Sequence, residues 1–250
     1  MRVSLNDQFR SLCSFFIYIN DIVADINGSI KLFADDTSLY KIVDDPVDAA
    51  DSLNTDLAKI HEWSMKWLVK FNSDNTESMI VSRKSNRPFH PPLMMDNKII
   101  NMVSGHKDLG LTISNDGHWG KHVDLINTKA FTRVNIMRKF KFILDRRTLD
   151  KIYLTFIRHL LEYGNVVWDF KTVYLTNKLE SAQAEAANVV AGGTRLVSLS
   201  KLYGETGWEY LKIRREKHRL TYFYKMNNGL TPGYLKPSEI FTITIQDIQH

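Results

Sequence analysis

The strongest structural signal in the chain is GSIKLFADDTSLYKIV, residues 28–43. Apolar and polar side chains alternate on both sides of Ala34–Thr37, which is the pattern of two short strands joined by a tight bend. We therefore predict a β-hairpin with two adjacent carboxylates, Asp35 and Asp36, at its bend. Burying unpaired carboxylates is costly, so such a pair is expected to be solvated, hydrogen-bonded or bound to a cation.

The flanking sequence predicts an α+β first part and a helical second part. Asp44-Asp45-Pro46 is typical of a turn and helix start, and apolar residues at three-to-four spacing follow as far as Leu68. We place the boundary near residue 117, which gives two regions, 1–117 and 118–250. The other predicted elements are a strand at 79–81, a hairpin at 93–100 that turns at Asp96-Asn97, a strand at 109–113, and helices at 119–137, 149–163, 175–191 and 209–226.

Composition restricts the class of protein. With 44% hydrophobic and 24% charged residues, the chain has ordinary globular composition. Its single cysteine, Cys13, excludes an internal disulfide framework and a Cys-based zinc module, which fits a reducing intracellular location. No apolar run approaches the roughly 20 residues that span a bilayer, so we predict no membrane segment.

Charge is distributed unevenly along the chain. Residues 1–62 contain 11 Asp and Glu against 5 Lys and Arg, whereas residues 63–250 contain 28 Lys and Arg against 17 Asp and Glu. An acidic cluster beside a basic surface suits a site that binds cations and attracts a polyanion.

Taken alone, the Asp35–Asp36 pair has two interpretations. It is either a solvent-facing turn or a set of ligands for a hard ion such as Mg²⁺, which prefers oxygen ligands.

His118 and His122 are four residues apart, but Gly120 lies between them and no third ligand is evident, which disfavours a zinc site.

Seven blocks of sequence carry a resemblance to a known family. They are FIYINDI at 16–22, KLFADDT at 31–37, WLVKFN at 67–72, KDLG at 107–110, KHV at 121–123, the segment 153–163 together with Trp168, and the segment 207–235. In this order and spacing they resemble the reverse transcriptases, or RNA-directed DNA polymerases, of non-LTR retrotransposons of the jockey and CR1-like group. The resemblance covers nearly the whole chain from about residue 16.

This resemblance implies a partial polymerase palm, made of antiparallel hairpins and a helix, followed by an all-α thumb and connection region. Asp35 and Asp36 would be catalytic ligands for Mg²⁺ or Mn²⁺, with Asp35 as the direct ligand. Leu109 and Gly110 would belong to the primer-grip strand, where glycine allows close backbone approach. The implied partners are an RNA template, a DNA primer and deoxynucleoside triphosphates.

The helical region would then hold the template–primer duplex through its phosphates. Cationic side chains suit that role because they release counterions on binding. For any single residue a solvated helix face is an equally good interpretation. The candidates are Lys129, Arg133, Arg138, Lys139, Lys141, Arg146 and Arg147.

Departures from the family pattern lead us to expect a carboxy-terminal fragment that is inactive alone. A further metal carboxylate of the family lies on an earlier palm strand that the resemblance does not reach. Asn75 stands where the family usually has a lysine, and a neutral amide can neither protonate pyrophosphate nor neutralise its charge effectively.

Three alternatives stay open. The first is a non-catalytic remnant that binds RNA or RNA/DNA hybrid. The second is a metal nuclease that uses the same acidic pair. The third is a structurally incomplete product without function, with apolar surface exposed.

Overall fold

A computed structural model describes residues 19–23, 25–33, 36–69, 71–84, 89–168, 172–193 and 197–235. These residues fall into two compact units. The first unit is drawn from Met1–His106 and Ser114–Gly117, and the second from Lys107–Ile113 and His118–His250. The assignment of 1–117 to a palm and 118–250 to a thumb stays a prediction.

In its described residues, the first unit combines one long helix with short strand pairs. β1 (Ser29–Phe33) and β2 (Asp36–Tyr40) form an antiparallel hairpin, and α1 (Pro46–Trp67) follows. Asp45 begins α1, since its side chain accepts hydrogen bonds from the backbone N–H groups of Val47 and Asp48. The remaining elements are β3 (Glu77–Ser78), β4 (Met94–Met95), β5 (Lys98–Ile99), β6 (Asn101–Met102), and 3-10 turns at Asp21–Val23 and Ser73–Asn75.

The first unit has a small core between the hairpin and α1. Alternation puts Ile30, Leu32 and Leu39 on the half-buried face of the hairpin. These side chains pack against a cluster that includes Leu57 and Ile60 of α1. β4 pairs antiparallel with β5, whereas β3 pairs in parallel with β6.

The second unit is mainly helical. β7 (Gly105–Asp108), which begins in the first unit, pairs with β8 (Leu111–Ser114). A π-helical segment at Tyr153–Arg158 interrupts what the sequence predicts as one helix. The helices are α2 (Gly120–Lys139), α3 (Arg146–Ile152), α4 (His159–Glu162), α5 (Asn165–Trp168), α6 (Val173–Ala191), α7 (Leu199–Thr206) and α8 (Leu211–Asn227).

One extensive core joins these helices. α2 packs against α6 and α4, and α6 also packs against α7 and α8. Val123, Ala130 and Val134 of α2 are completely buried, which is the face that their three-to-four spacing predicts. Trp168 is also fully buried and donates its indole N–H to the Tyr163 carbonyl at 2.6 Å.

The α+β architecture agrees with the prediction, as do both hairpins, α1 and the four long helical regions. The predicted strand at 79–81 is wrong, because pairing with β6 ends at Ser78. The predicted strand at 109–113 begins only at Leu111, since Leu109 and Gly110 have positive φ angles of 45° and 85°. None of the described helices has the length and apolar character needed to cross a membrane.

Candidate metal and nucleic-acid sites

The acidic hairpin places Asp36 at the first position of β2, directly opposite Phe33. Paired residues of an antiparallel ladder point to the same face, so Asp36 lies on the exposed face with Phe33. Thr37, Leu39 and their partners occupy the half-buried face. Asp35, the other predicted ligand, lies outside the described residues.

The environment of Asp36 is compatible with a hard cation. Its side chain is exposed, and among the described residues it forms no ion pair with a lysine or arginine. A carboxylate in this state has oxygens available to a divalent ion, which typically takes one or two carboxylates together with waters and substrate phosphates. The described part of the chain contains no group of three or more His, Cys, Asp or Glu able to hold a metal.

Asp56 positions the hairpin, although sequence analysis did not single it out. This residue of α1 is completely buried, and its carboxylate accepts hydrogen bonds from the backbone N–H groups of Asn27 at 3.0 Å and Gly28 at 2.7 Å. Lys59 lies 3.9 Å from the same carboxylate. These contacts fix the chain immediately before β1 to α1. An aspartate directly before Leu57 on the apolar face of a predicted helix is the signal that could have revealed it.

The absence of a side chain at Gly28 leaves room for the Asp56 carboxylate. A Cβ added there would lie 3.0 Å from the Asp56 carboxylate oxygen Oδ2. That distance is shorter than ordinary van der Waals contact, so a larger residue would have to displace the carboxylate that holds the hairpin.

Asn75 is exposed at the end of the 3-10 turn Ser73–Asn75. Its backbone N–H donates to the Asn72 carbonyl at 3.1 Å. The neighbouring Asp74 pairs with Lys98 of β5, with Nζ and Oδ1 3.2 Å apart. A local turn and an exposed ion pair therefore shape this segment.

The predicted primer-grip residues Leu109 and Gly110 lie in the turn between β7 and β8 and not within a strand. Tyr163 holds this turn: its hydroxyl donates to the Leu109 carbonyl at 2.9 Å. A Cβ on Gly110 would lie 3.2 Å from Cε1 of the Tyr163 ring, and φ is +85°. Glycine is therefore required here both by backbone conformation and by the approach of the aromatic ring.

Three of the seven predicted duplex-contact residues form hydrogen bonds within the second unit. Arg133 donates to the Phe156 carbonyl, and Arg146 donates to the Glu205 carbonyl. Arg138 donates to Asn135 at 2.9 Å and forms an ion pair with Glu185. These contacts support a structural role for the three side chains.

The other four cations are Lys129, Lys139, Lys141 and Arg147. Lys129, Lys139 and Arg147 are exposed, and within the described chain their side chains have no ion-pair or hydrogen-bond partner. The Nζ of Lys141 lies 6.0 Å from the centre of the Phe142 ring. Lys139 and Lys141 flank the end of α2, and Arg147 lies in the first turn of α3. These four are the better candidates for phosphate contact.

The side chain of His122 packs inside the second unit. Its ring is nearly fully buried between Trp119 and Trp168, with ring centres 6.0 Å and 5.3 Å away. Its Nδ1 accepts a hydrogen bond from the Thr112 backbone N–H at 3.2 Å, which joins β8 to α2. Burial, followed by the positive charge of Lys129, lowers the pKa of His122.

Comparisons with known proteins identify two similar curated sequences, both from Drosophila melanogaster. "Probable RNA-directed DNA polymerase from transposon BS" is 20% identical over 199 residues, which is 77% of this chain and 22% of that protein. "Probable RNA-directed DNA polymerase from transposon X-element" is 22% identical over 168 residues, which is 65% of this chain and 18% of that protein.

The chain thus spans about a fifth of the length of the curated relatives it matches. No family model and no solved structure matches it. The names of both relatives support a relationship to reverse transcriptases.

Proposed function

We propose that the chain is part of the reverse transcriptase of a non-LTR retrotransposon of the jockey and CR1-like group. The observation that carries this proposal is the similarity to two transposon polymerases over 77% and 65% of the chain. The hairpin adds support, because it presents Asp36 on its exposed face at the start of β2. The first unit would contribute to the palm, and the helical unit would form the thumb and connection region.

In this proposal Asp35 and Asp36 hold Mg²⁺ or Mn²⁺ beside the end of a DNA primer annealed to an RNA template. Two such ions would divide the chemistry: one would activate the primer 3′-hydroxyl, and the other would neutralise charge on the departing pyrophosphate of a deoxynucleoside triphosphate. Asp56 would hold the hairpin in position through its two backbone contacts. The turn at Leu109 and Gly110, fixed by Tyr163, would contact the primer.

We infer that the 250-residue chain alone transfers nucleotides very slowly. Asn75 supplies no positive charge where the resembled family usually has a lysine, and the family's further metal carboxylate lies on a palm strand that the resemblance does not reach. Positioning and charge neutralisation provide most of the rate of such reactions, so a site short of these groups transfers nucleotides slowly. In a primer-extension assay on an RNA template with Mg²⁺ or Mn²⁺, we expect no incorporation above background. Incorporation that Asp35→Asn abolishes would contradict this inference.

The second candidate function is binding of RNA or RNA/DNA hybrid without catalysis. It is favoured by the exposed cations Lys129, Lys139 and Arg147, whose side chains have no partner among the described residues. We expect the chain to bind a fluorescent RNA/DNA hybrid with an affinity that falls steeply with salt.

A charge-matched pair of triple variants tests this binding. Replacing Lys129, Lys139 and Arg147 by alanine should reduce the slope of log affinity against log salt by roughly 2 to 3, as expected for three lost phosphate contacts. The control replaces the exposed lysines of the first unit, Lys41, Lys66 and Lys84, by alanine. Equal loss in both variants would show that net charge alone causes binding.

A further inference from the structure

The loop between α2 and α3 presents an ordered apolar tip. The backbone N–H groups of Ile143 and Leu144 both donate to the Phe140 carbonyl at 2.9 Å, and the Phe140 N–H donates to the Met137 carbonyl at 3.0 Å. At the other end, Asp145 accepts hydrogen bonds from the Arg147 N–H at 3.2 Å and the Thr148 hydroxyl at 2.5 Å. The loop is therefore held at both ends.

Two large side chains of this loop point into solvent. Phe142 is 93% exposed and Ile143 is 75% exposed, whereas the next residue, Leu144, packs against the core of the second unit. Phe140 is also exposed, to 42%. Removing apolar side chains from water is favourable, so this tip favours a partner that covers it.

The charges around the tip indicate the nature of that partner. Lys139, Lys141 and Arg147 lie within five residues of Phe142, and among the described residues their side chains form no ion pair. The acidic residue of the same segment is Asp145. Its carboxylate is already engaged by the start of α3. Lys141 lies beside the Phe142 ring, at 6.0 Å from its centre. An aromatic ring among cations suits a ligand that combines negative charge with flat apolar surfaces, which describes a nucleic-acid strand with unpaired bases.

We propose that Phe142 stacks on an unpaired base of a nucleic-acid strand whose phosphates contact the neighbouring cations. This inference rests on the proposed function and adds a base-stacking contact to it. An anionic lipid surface suits the tip less well, because interfacial membrane binding uses a continuous apolar helix face, whereas here the apolar surface is the tip of a short loop.

The test uses the full 250-residue chain and a short single-stranded RNA carrying one fluorescent adenine analogue whose emission is quenched by stacking. Phe142→Ala should weaken binding by about 5-fold to 150-fold, which is the range for one base stacked on an aromatic ring. The salt dependence should stay unchanged, since no charge is lost. Phe142→Leu should also lose the quenching, whereas Phe142→Tyr should retain it. Phe89→Ala, at a position 84% exposed in the first unit, is the matched control.

Each other outcome overturns the proposal. If wild type and Phe142→Leu bind and quench equally, Phe142 does not stack, although nucleic-acid binding would stand. If Phe142→Ala leaves RNA binding unchanged but weakens binding to phosphatidylcholine vesicles that contain phosphatidylserine, the tip contacts lipid and not a base. If the wild-type chain binds no RNA or hybrid at any salt concentration, the binding function itself fails together with this inference.

Discussion

Different kinds of interaction stabilise the interior of each of the two units. Among the residues that the structure describes, the helical unit has one core of twenty buried hydrophobic residues, whereas the corresponding cluster of the first unit has six. In the first unit, polar side chains of α1 hold the neighbouring backbone: Asp56 binds Asn27 and Gly28, and Asn54 accepts from the Met94 N–H at 2.9 Å. Packing thus supports the candidate nucleic-acid surface, while the candidate metal hairpin depends on directional hydrogen bonds in addition to its small core.

Removing a large core residue should have the largest effect on stability. Trp168→Ala should lower the free energy of unfolding of the helical unit by about 3–5 kcal/mol, because it leaves a cavity and removes the hydrogen bond to Tyr163. Trp67→Ala in the first unit should cost less, since Trp67 is 36% exposed. Guanidinium unfolding followed by circular dichroism measures both. Equal losses would contradict the difference between the units.

Removing one carboxylate should have the next largest effect. Asp56→Ala leaves the N–H groups of Asn27 and Gly28 without their acceptor, so we expect the first unit to lose about 2–3 kcal/mol. Hydrogen exchange should show lost protection at these two amides. Asp51→Ala, at an exposed position of the same helix, is the control and should change little. Unchanged protection in Asp56→Ala would refute the anchoring role.

Two glycines of the second unit should respond with opposite signs. Gly110→Ala should destabilise by about 1–2 kcal/mol, because φ is +85° and the new Cβ would approach Tyr163 to 3.2 Å. Gly204→Ala lies in α7 with open space around it, so it should stabilise by up to about 1 kcal/mol. Thermal unfolding distinguishes the two. A neutral Gly110→Ala would mean that neither the positive φ nor the approach of the Tyr163 ring constrains this position.

The smallest expected effect depends on pH. The pKa of His122 is lower in the folded chain than its ordinary value of 6.5, so the unfolded chain binds more protons in this range. The contribution of neutral His122 to the free energy of unfolding is therefore fully present above pH 6.5. It decreases as pH falls below that value, by at most about 1.4 kcal/mol per pH unit.

His122→Gln tests this dependence, because glutamine can still accept the Thr112 N–H but does not titrate. The variant should lack this acid sensitivity. His159→Gln, at an exposed position, should keep it. The same acid sensitivity in all three proteins would exclude His122 as its source.

Local sequence patterns were sufficient to predict those elements whose structure depends on neighbouring residues alone. The hairpin at 28–43 and the helix start at Asp45 follow from alternation and capping, and the structure contains both. The positive φ angles of Leu109 and Gly110 depend on Tyr163, which is distant in sequence, so the start of β8 was predicted too early. The hydrogen bonds of Arg133, Arg138 and Arg146 were likewise hidden, because a list of cations does not show which acceptors lie near them.

The most direct test of the central claim is Mn²⁺ binding to the acidic hairpin, measured by electron paramagnetic resonance of the free ion. The wild-type chain should bind the ion, and Asp35→Asn combined with Asp36→Asn should weaken that binding at least tenfold. A control with Asp44→Asn and Asp51→Asn, two exposed acids outside the hairpin, should bind as the wild type does. Equal affinity in all three proteins would contradict the assignment of the hairpin as a metal site.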